Sequence, residues 1–454
     1  SNPYGMNWGD LKIAQANGHL LLLSLGHVAY CFDLAEKKEL WRYNLLGSAV
    51  PSQTNQPQTE VSANGEMTIT YEDGWRLRLG CSAVLQPGYV SLLTRDGLVA
   101  LDPASGSKLW VKSDVSSRAQ VFGDAKYIYL IETNESGKRT SRVLRAVDGA
   151  PVPNVPAFGD LLAGPDRVRM YGRLALIHES ANKPGEKAAD KKPTTIRPAN
   201  SVGRIGRRGT QPAPAATAKV LRLYDPLTGK NVWTKSYEAG SVLLRTHDET
   251  LTGEVRPDGR FDVIDALTGK VVFAGRTDPA QVAEHVKGLQ SADLLADGER
   301  YYLVLNNNRP STNRINYYYG YNPIRWLQVP GAVYCFEKTT GKRLWFLDRQ
   351  LDNLSIVLDR FDELPVIVAA NYVQEDNNIQ SYRVAVVDKK NGKLRFVQDL
   401  DRNGPFQAMV TDPKTGTTEL IRYNSRLIIT PDDGATEPVR HAQPSEPVPP
   451  KMKK

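Results

Sequence analysis

One pattern of apolar and polar residues recurs along the chain: an alternating stretch, an acidic residue, a short turn, a Lys and then an aromatic residue. The clearest copies span residues 98–110, with the turn Asp102-Pro-Ala-Ser-Gly106, and residues 221–233, with the turn Asp225-Pro-Leu-Thr-Gly229. The alternation predicts a half-buried strand. Asp and Gly favour the turn, because an Asp side chain can bond its own backbone and Gly accepts positive φ. Each copy therefore predicts a β-hairpin.

The hairpin recurs often enough to predict the whole fold. Further copies end at Trp41, Phe273, Trp345 and Phe396, and a worn copy spans residues 143–152 with Asp148 in its turn. Another extended pair precedes each copy, as at residues 127–131. Asp225 and Asp265 are 40 residues apart, the length of a four-stranded blade. The chain is therefore predicted to be all-β: an eight-bladed β-propeller of four-stranded antiparallel blades over residues 10–430, with seven blades as the alternative.

The ring is predicted to close through strands from both ends of the chain. Residues 406–431 hold about three strands, and residues 10–14 would supply the fourth, which removes an exposed sheet edge. Surplus residues near 51–80 and 306–330 indicate insertions or, less favoured, a degenerate blade. The only helix expected lies near residues 279–288, where an Asp-Pro pair precedes Gln281-Val-Ala-Glu-His-Val-Lys.

The phrase Asp-x-x-Thr-Gly-Lys-x-x-Trp resembles the repeat of pyrroloquinoline-quinone-type propellers. That family includes the quinoprotein alcohol dehydrogenases and the non-enzymatic barrel-assembly lipoprotein propeller of bacterial envelopes. The resemblance implies a periplasmic or other extracytoplasmic setting. It also implies that the aromatic residue docks between blades, on the turn of the next one. This role would fall to Trp41, Trp110, Trp233, Trp345, Phe273 and Phe396.

The resemblance leaves enzyme and scaffold as alternatives. The enzyme members carry two adjacent disulfide-linked cysteines, calcium-binding side chains and a catalytic Asp, whereas Cys31, Cys81 and Cys335 are far apart in this sequence. Cys31 and Cys335 occupy equivalent strand positions and are predicted to be buried hydrophobes. The acids of the repeat are predicted to cap their turns. We therefore predict no catalytic, cofactor or metal-binding residue and a scaffold that binds a protein. A quinone-dependent dehydrogenase and a glycan-binding propeller are the alternatives.

One segment is rich in the residues that favour binding. Within residues 306–330, a polar and aromatic stretch interrupts a hairpin, and Tyr, Arg and Trp are common interface anchors. The candidate partner-binding residues are Tyr317, Tyr318, Tyr319, Tyr321, Arg325 and Trp326. A loop that merely packs over a blade and a glycan site remain alternatives.

The net charge of +8 is concentrated in one place. Residues 181–219 hold nine Lys and Arg against two acids, so the rest of the chain is nearly neutral. The folded body therefore has no electrostatic footprint for nucleic acid. Residues 181–219 cannot bury enough surface to order themselves, and are predicted to be a passive disordered loop or a tether for an anionic partner through residues 183–219. The Pro-rich tail 435–454 is also predicted to be disordered, and no apolar run is long enough to span a membrane.

Overall fold

The computed structural model describes residues 14–25, 27–46, 58–61, 67–70, 76–79, 83–116, 119–134, 137–163, 167–180, 218–307, 324–375, 378–401, 404–423 and 425–430. The predicted tail 435–454, nearly all of the basic insertion and Tyr317, Tyr318, Tyr319 and Tyr321 lie outside these residues. Neither short helix in the described part of the chain has the length or apolar character needed to cross a lipid bilayer.

The first half of the chain forms sheets A to D. Sheet A contains β1 (Ala14–Asn17), β2 (Leu20–Leu25), β3 (Val28–Asp33) and β4 (Lys38–Asn44). A separate three-stranded sheet contains β5 (Gln58–Val61), β6 (Met67–Thr70) and β7 (Arg76–Leu79). Sheet B contains β8 (Ala83–Gln86), β9 (Tyr89–Thr94), β10 (Gly97–Leu101) and β11 (Lys108–Lys112). Sheet C contains β12 (Gln120–Gly123), β13 (Tyr127–Thr133) and β14 (Arg139–Arg145), followed by α1 (Gly159–Ala163). Sheet D contains β15 (Arg167–Tyr171), β16 (Leu174–Ser180), β17 (Lys219–Asp225) and β18 (Lys230–Tyr237).

The second half forms sheets E to H. Sheet E contains β19 (Val242–Thr246), β20 (Leu251–Val255), β21 (Arg260–Asp265) and β22 (Val271–Arg276), followed by a 3-10 turn (Pro279–Gln281) and α2 (Val282–His285). Sheet F contains β23 (Ser291–Ala296), β24 (Arg300–Asn306), β26 (Val333–Glu337) and β27 (Arg343–Leu347). Sheet G contains β28 (Leu354–Val357), β29 (Val366–Glu375), β30 (Asn378–Asp388) and β31 (Leu394–Leu400), joined by β25 (Trp326–Val329). Sheet H contains β32 (Ala408–Thr411), β33 (Thr418–Ile421) and β34 (Arg426–Ile429).

The sheets pack in chain order, as blades of a propeller do. Within each sheet A to H, successive strands run antiparallel. β19 of sheet E also pairs in parallel with β23 of sheet F, from Leu244 opposite Ala292 to Thr246 opposite Leu294, so these two blades share one eight-stranded sheet. Seven clusters of buried apolar side chains lie between successive sheets, one for each pair from A and B to G and H. In the first cluster, Leu22 and Cys31 of sheet A meet Val90 and Val99 of sheet B. This confirms the predicted all-β propeller of four-stranded antiparallel blades.

A β-bulge precedes the docking aromatic in each of the six clear hairpins. In sheet B, Ala100 pairs with Trp110 and Leu101 pairs with Lys108, which leaves Leu109 as the extra residue. The same shift occurs in sheets A, D, E, F and G. Because a bulge bends its strand and re-aims a side chain, the extra residue before each aromatic turns the ring towards the next sheet.

Four tryptophans contact the turn of the following sheet. Each indole N–H donates to the carbonyl one residue after the start of that turn, at 2.7–3.1 Å: Trp41 to Pro103, Trp110 to Ala146, Trp233 to Ala266 and Trp345 to Lys389. Each ring lies against the turn glycine: Gly106, Gly149, Gly269 and Gly392, respectively. Phe273 instead packs among Phe261, Tyr301 and Phe336, and Phe396 is half-buried between sheets G and H.

Sheet C departs from the repeat. Its turn begins at Arg145, because the Gly149 N–H donates to the Arg145 carbonyl at 2.9 Å, as Gly106 does to Asp102 at 2.8 Å. Asp148, the acid that the sequence aligns with the other turns, lies three residues later. After an isolated bridge between Leu144 and Pro151, the chain forms no fourth strand before α1, and this helix was not predicted. Its Leu162 fills the cluster between sheets C and D, and Pro156 takes the place of an aromatic residue against Gly229.

The predicted insertions contain strands. Sheets A and B contact each other through β1, β8 and the docked Trp41, so strands β5–β7 belong to an insertion and not to a blade between them. β25 leaves the hairpin β24–β26 and pairs with β28 of sheet G, from Trp326 opposite Val357 to Val329 opposite Leu354. Lys219 is the first residue of β17 and pairs with Ser180 and Tyr237. The last residue of the predicted basic insertion 181–219 therefore belongs to the strand.

Closure and blade number remain predictions. Of the proposed closing strand, only Ala14 lies within the described residues, and it pairs with Leu23 of sheet A. Sheet H has three strands in the described part of the chain. The helix expected near residues 279–288 is confirmed as the 3-10 turn followed by α2.

Candidate functional site

The acids of the repeat are occupied by their own turns. Asp102 Oδ1 accepts from the backbone N–H groups of Ala104 and Ser105 and from the Ser105 hydroxyl, at 2.8–3.0 Å. These bonds favour the carboxylate and lower the pKa of Asp102. Asp265 bonds its turn in the same way. The prediction that these acids cap their hairpins is confirmed.

The two cysteines within the described residues are free and buried. Cys31 and Cys335 lie opposite the docking residues Trp41 and Trp345 in their hairpins. Burial raises the pKa of both thiols, that of Cys335 to about 12. Both therefore pack as small apolar side chains, as the repeat predicted.

A cleft between sheets F and G is lined in part by a buried lysine, Lys389. It has a volume of about 460 Å³ and is lined by the turn after β23, the loop after β28 and the turn after β30. Lys389 occupies the position after the turn acid and is only 2% exposed. Its backbone carbonyl is the one that accepts from Trp345. The same residue therefore receives the docking ring and places a buried ammonium group at the wall of the cleft.

The Lys389 ammonium is held by groups from both sheets. It donates to the Phe361 carbonyl in the loop after β28 of sheet G and lies 3.7 Å from Asp297 Oδ2 in the turn after β23 of sheet F. It also lies 4.0 Å from the centre of the Phe361 ring and 5.5 Å from that of Tyr302, close enough for cation–π attraction. Burial lowers the pKa of Lys389 to about 8, although the Asp297 charge opposes this shift.

Asp297 forms the opposite side of this contact. Its Oδ2 accepts from the Tyr302 hydroxyl at 2.6 Å, and its Oδ1 accepts from the N–H groups of Glu299 and Arg300. Burial raises the pKa of Asp297, but these hydrogen bonds and the Lys389 charge outweigh it, so the pKa is lowered overall. Lys338, the residue after the turn acid of sheet F, donates to the Asp297 carbonyl. Two equivalent lysines thus hold one turn: Lys338 from within sheet F, and Lys389 from sheet G, whose contact joins the two sheets.

This arrangement has a chemical and a structural side. A buried amine with a pKa near 8 can act as a nucleophile when a carbonyl compound reaches it. The Lys389 ammonium, however, already bonds the Phe361 carbonyl and contacts Asp297 within the chain.

The sequence analysis did not single out Lys389. The available signal was the residue after the turn acid, which is Lys at positions 338 and 389 but Pro at positions 103, 226 and 413.

Lys389 should make stability depend on alkaline pH. Between pH 8 and 10.5 the unfolded chain holds a proton that folded Lys389 has released, so the free energy of unfolding should rise with pH in this window. The rise should reach at most about 3 kcal/mol, since one pKa unit corresponds to about 1.4 kcal/mol. Urea denaturation of the wild type and of Lys389→Met at pH 7.5, 9 and 10.5 would measure the difference. Parallel curves for the two proteins would contradict this assignment.

The structure places two of the six predicted partner-binding residues. Arg325 is bonded to Asp359 through both its backbone N–H, at 2.9 Å, and its guanidinium, at 2.6 Å, while its side chain stays 65% exposed. Trp326 begins β25 and packs against the cluster between sheets G and H, and its indole N–H has no hydrogen-bond partner among the described residues. Tyr317, Tyr318, Tyr319 and Tyr321 lie outside the described residues.

Comparisons with known proteins find matching solved structures, but at low sequence identity and low TM-score. No protein-family model and no curated protein matches the chain. Similar solved structures include BamB from Moraxella catarrhalis, with 13% identity, 94% of this chain and 96% of that chain covered, and a TM-score of 0.33. A quinohemoprotein alcohol dehydrogenase from Comamonas testosteroni has 11% identity, coverages of 89% and 69% and a TM-score of 0.32. A eukaryotic initiation factor has 11% identity, coverages of 95% and 88% and a TM-score of 0.38. At these values, none of the three assigns a function to this chain.

Proposed function

We propose that this chain is a non-catalytic β-propeller scaffold that binds a protein partner through the insertion between β24 and β26. The observation that carries the proposal is the anchoring of this insertion at both ends. Asn307 donates from Nδ2 to the Glu284 carbonyl at 2.7 Å, next to β24. At the other end, β25 pairs with sheet G. Binding residues are commonly found on loops that a rigid framework positions in this way.

The residues near the second anchor suit an interface. Arg325 leaves most of its side chain exposed while Asp359 holds it in one orientation. Trp326 packs its ring against the cluster between sheets G and H, which fixes the chain directly after Arg325. Arg, Trp and Tyr are enriched in protein interfaces, and the sequence places four tyrosines shortly before Arg325. The repeat acids and Lys389 are bonded within the chain, which supports a scaffold over an enzyme. The bacterial envelope setting rests on the resemblance of the repeat.

Site-specific photo-crosslinking would test this function. A photoreactive residue at position 318, introduced into the tagged protein in native envelopes, should give a discrete cross-linked protein. The same residue at Tyr423, which is 82% exposed on sheet H, is the matched control and should give none. Arg325→Ala should reduce the yield from position 318. A yield at position 318 no higher than at position 423 would contradict the proposal.

The same preparation separates the alternatives. Binding on a glycan array that is lost in a Tyr317/Tyr318/Tyr319→Ser variant would favour the glycan-binding propeller. Quinone- and calcium-dependent dye reduction would favour the dehydrogenase. Either result without cross-linking would replace the proposed function.

The basic insertion can be tested by deletion. Removing residues 183–217 should leave the melting temperature nearly unchanged, because β16 and β17 stay paired up to Ser180 and Lys219 and loop closure depends weakly on length. Any salt-sensitive binding of the intact protein to anionic vesicles or heparin should disappear, since these residues carry most of the net charge. If the shortened protein binds polyanions as well as the intact one, the attraction comes from the propeller surface and the tether idea fails.

A further inference from the structure

A second group of polar side chains lies where α2 meets sheet F. His285 ends α2, Asp348 follows β27, and Glu284 precedes His285. One ligand atom from each of these side chains can be chosen so that all three lie within 4.8 Å of one another. His285 is 2% exposed, whereas the two carboxylate side chains are each 41% exposed. The group therefore combines one fixed imidazole with two carboxylates at the surface.

The imidazole is held in one orientation. His285 Nδ1 lies 2.5 Å from the Tyr334 hydroxyl, and Nε2 lies 3.0 Å from Asp348 Oδ1. Tyr334 is fully buried in β26, and its ring and that of Phe346 pack against the imidazole. Metal-binding histidines are usually held through the other ring nitrogen in this manner. Here that arrangement directs Nε2 towards the carboxylates.

The spacing suits a small divalent cation. Ligands bound at about 2.0–2.2 Å around tetrahedral Zn²⁺ lie roughly 3.3–3.6 Å apart. The distance of 3.0 Å between His285 Nε2 and Asp348 Oδ1 needs only a few tenths of an ångström of adjustment. A hydroxyl both donates and accepts. Tyr334 can therefore donate to Nδ1 while Nε2–H bonds Asp348, or accept from Nδ1–H once Nε2 binds a cation.

Glu284 can complete the site at small cost. Its carboxylate pairs with Arg349 at 3.5 Å, and both side chains are over 40% exposed. Exposed ion pairs of this kind contribute little stability, so Glu284 can turn from Arg349 to a cation. Its backbone is held by the bond from Asn307, which keeps the side chain beside His285.

We propose that His285, Asp348 and Glu284 form a binding site for a divalent transition-metal ion of the Zn²⁺ class, with water in the remaining position. One nitrogen and two carboxylate oxygens suit this class, because imidazole favours such ions. The site is independent of the proposed function and lies beside the first anchor of the insertion.

Titration with Zn²⁺ and Co²⁺ alone would test the site. The full chain, prepared metal-free, should bind one Zn²⁺ by calorimetry and give the visible absorption of four-coordinate Co²⁺. Glu284→Gln and Asp348→Asn replace surface carboxylates, so both variants should fold, and each should weaken binding at least tenfold. Tyr334→Phe should weaken it about 10–100-fold, the usual effect of losing such a supporting bond.

A similar pair elsewhere provides the control. His19 Nε2 lies 3.7 Å from Asp33 Oδ2, and His19 is 62% exposed. His19→Ala should leave both the Zn²⁺ affinity and the Co²⁺ spectrum unchanged. The proposal is overturned if the wild type binds no Zn²⁺, if affinity survives in the Glu284→Gln/Asp348→Asn double variant, or if His19→Ala abolishes binding.

Discussion

Replacing Trp345 by Ala should lower the free energy of unfolding by about 3–5 kcal/mol, the usual cost of truncating a buried aromatic side chain. Trp345 is 9% exposed and belongs to the cluster between sheets F and G. Its indole also donates to the Lys389 carbonyl at 2.9 Å. The substitution therefore leaves a cavity between two sheets and an unpaired carbonyl. Chemical denaturation of the two proteins would measure the difference.

Two further variants locate the source of this loss. Trp345→Phe keeps a ring against the turn but removes the N–H donor, so it should cost less than Trp345→Ala. Tyr423→Ala removes an aromatic side chain that is 82% exposed and should change stability by less than about 0.5 kcal/mol. If Trp345→Ala were as mild as Tyr423→Ala, the tryptophan would not join the two sheets.

Gly392→Ala should also destabilise the protein strongly, although it adds only a methyl group. Gly392 has φ 70°, where a side chain costs roughly 1–2 kcal/mol. A Cβ at this position would lie 2.7 Å from the Trp345 ring, so the ring would have to leave its place. We expect a total loss of about 2–5 kcal/mol, since displacing a packed ring adds roughly 1–3 kcal/mol to the backbone cost. Urea denaturation would measure it.

Gly137→Ala is the matched control for this substitution. Gly137 has φ 79°, and a Cβ there would meet no described residue within 4 Å. It should therefore cost only the backbone strain. Equal losses at the two glycines would show that contact with the tryptophan ring contributes nothing.

Much of the fold follows from local signals in the sequence. Strand alternation, the Asp–Gly turn and the terminal aromatic predict each hairpin, and the structure adds that a bulge at Leu109 and its equivalents aims the aromatic. Sheet C shows where this reasoning fails. Arg145 stands where the other turns have an acid, so the sequence pointed to Asp148 instead. No local signal marks α1, because this short helix is stabilised by a tertiary contact: its Leu162 packs in the cluster shared with sheet D.

The site was harder to predict than the fold, because its contacts join distant residues. β25 pairs with β28 over sequence separations of 25 to 31 residues, from Val329 opposite Leu354 to Trp326 opposite Val357. Four residues of moderate apolarity give little indication of such a pairing. From the sequence alone, Lys389 would be expected at the surface, where most lysines lie. It becomes buried only because Phe361 and Tyr302 from two sheets enclose it.

A double-mutant cycle on Trp41 and Gly106 tests the central claim, that the tryptophans of sheets A, B, D and F dock on the turn of the following sheet. The two residues are 65 positions apart in the sequence, and a Cβ on Gly106 would lie 2.6 Å from the Trp41 ring. Gly106→Ala should therefore cost at least about 1 kcal/mol less in the Trp41→Ala background than in the wild type, because the clash is gone. Additive costs, within about 0.5 kcal/mol, would mean that the ring and the turn do not touch.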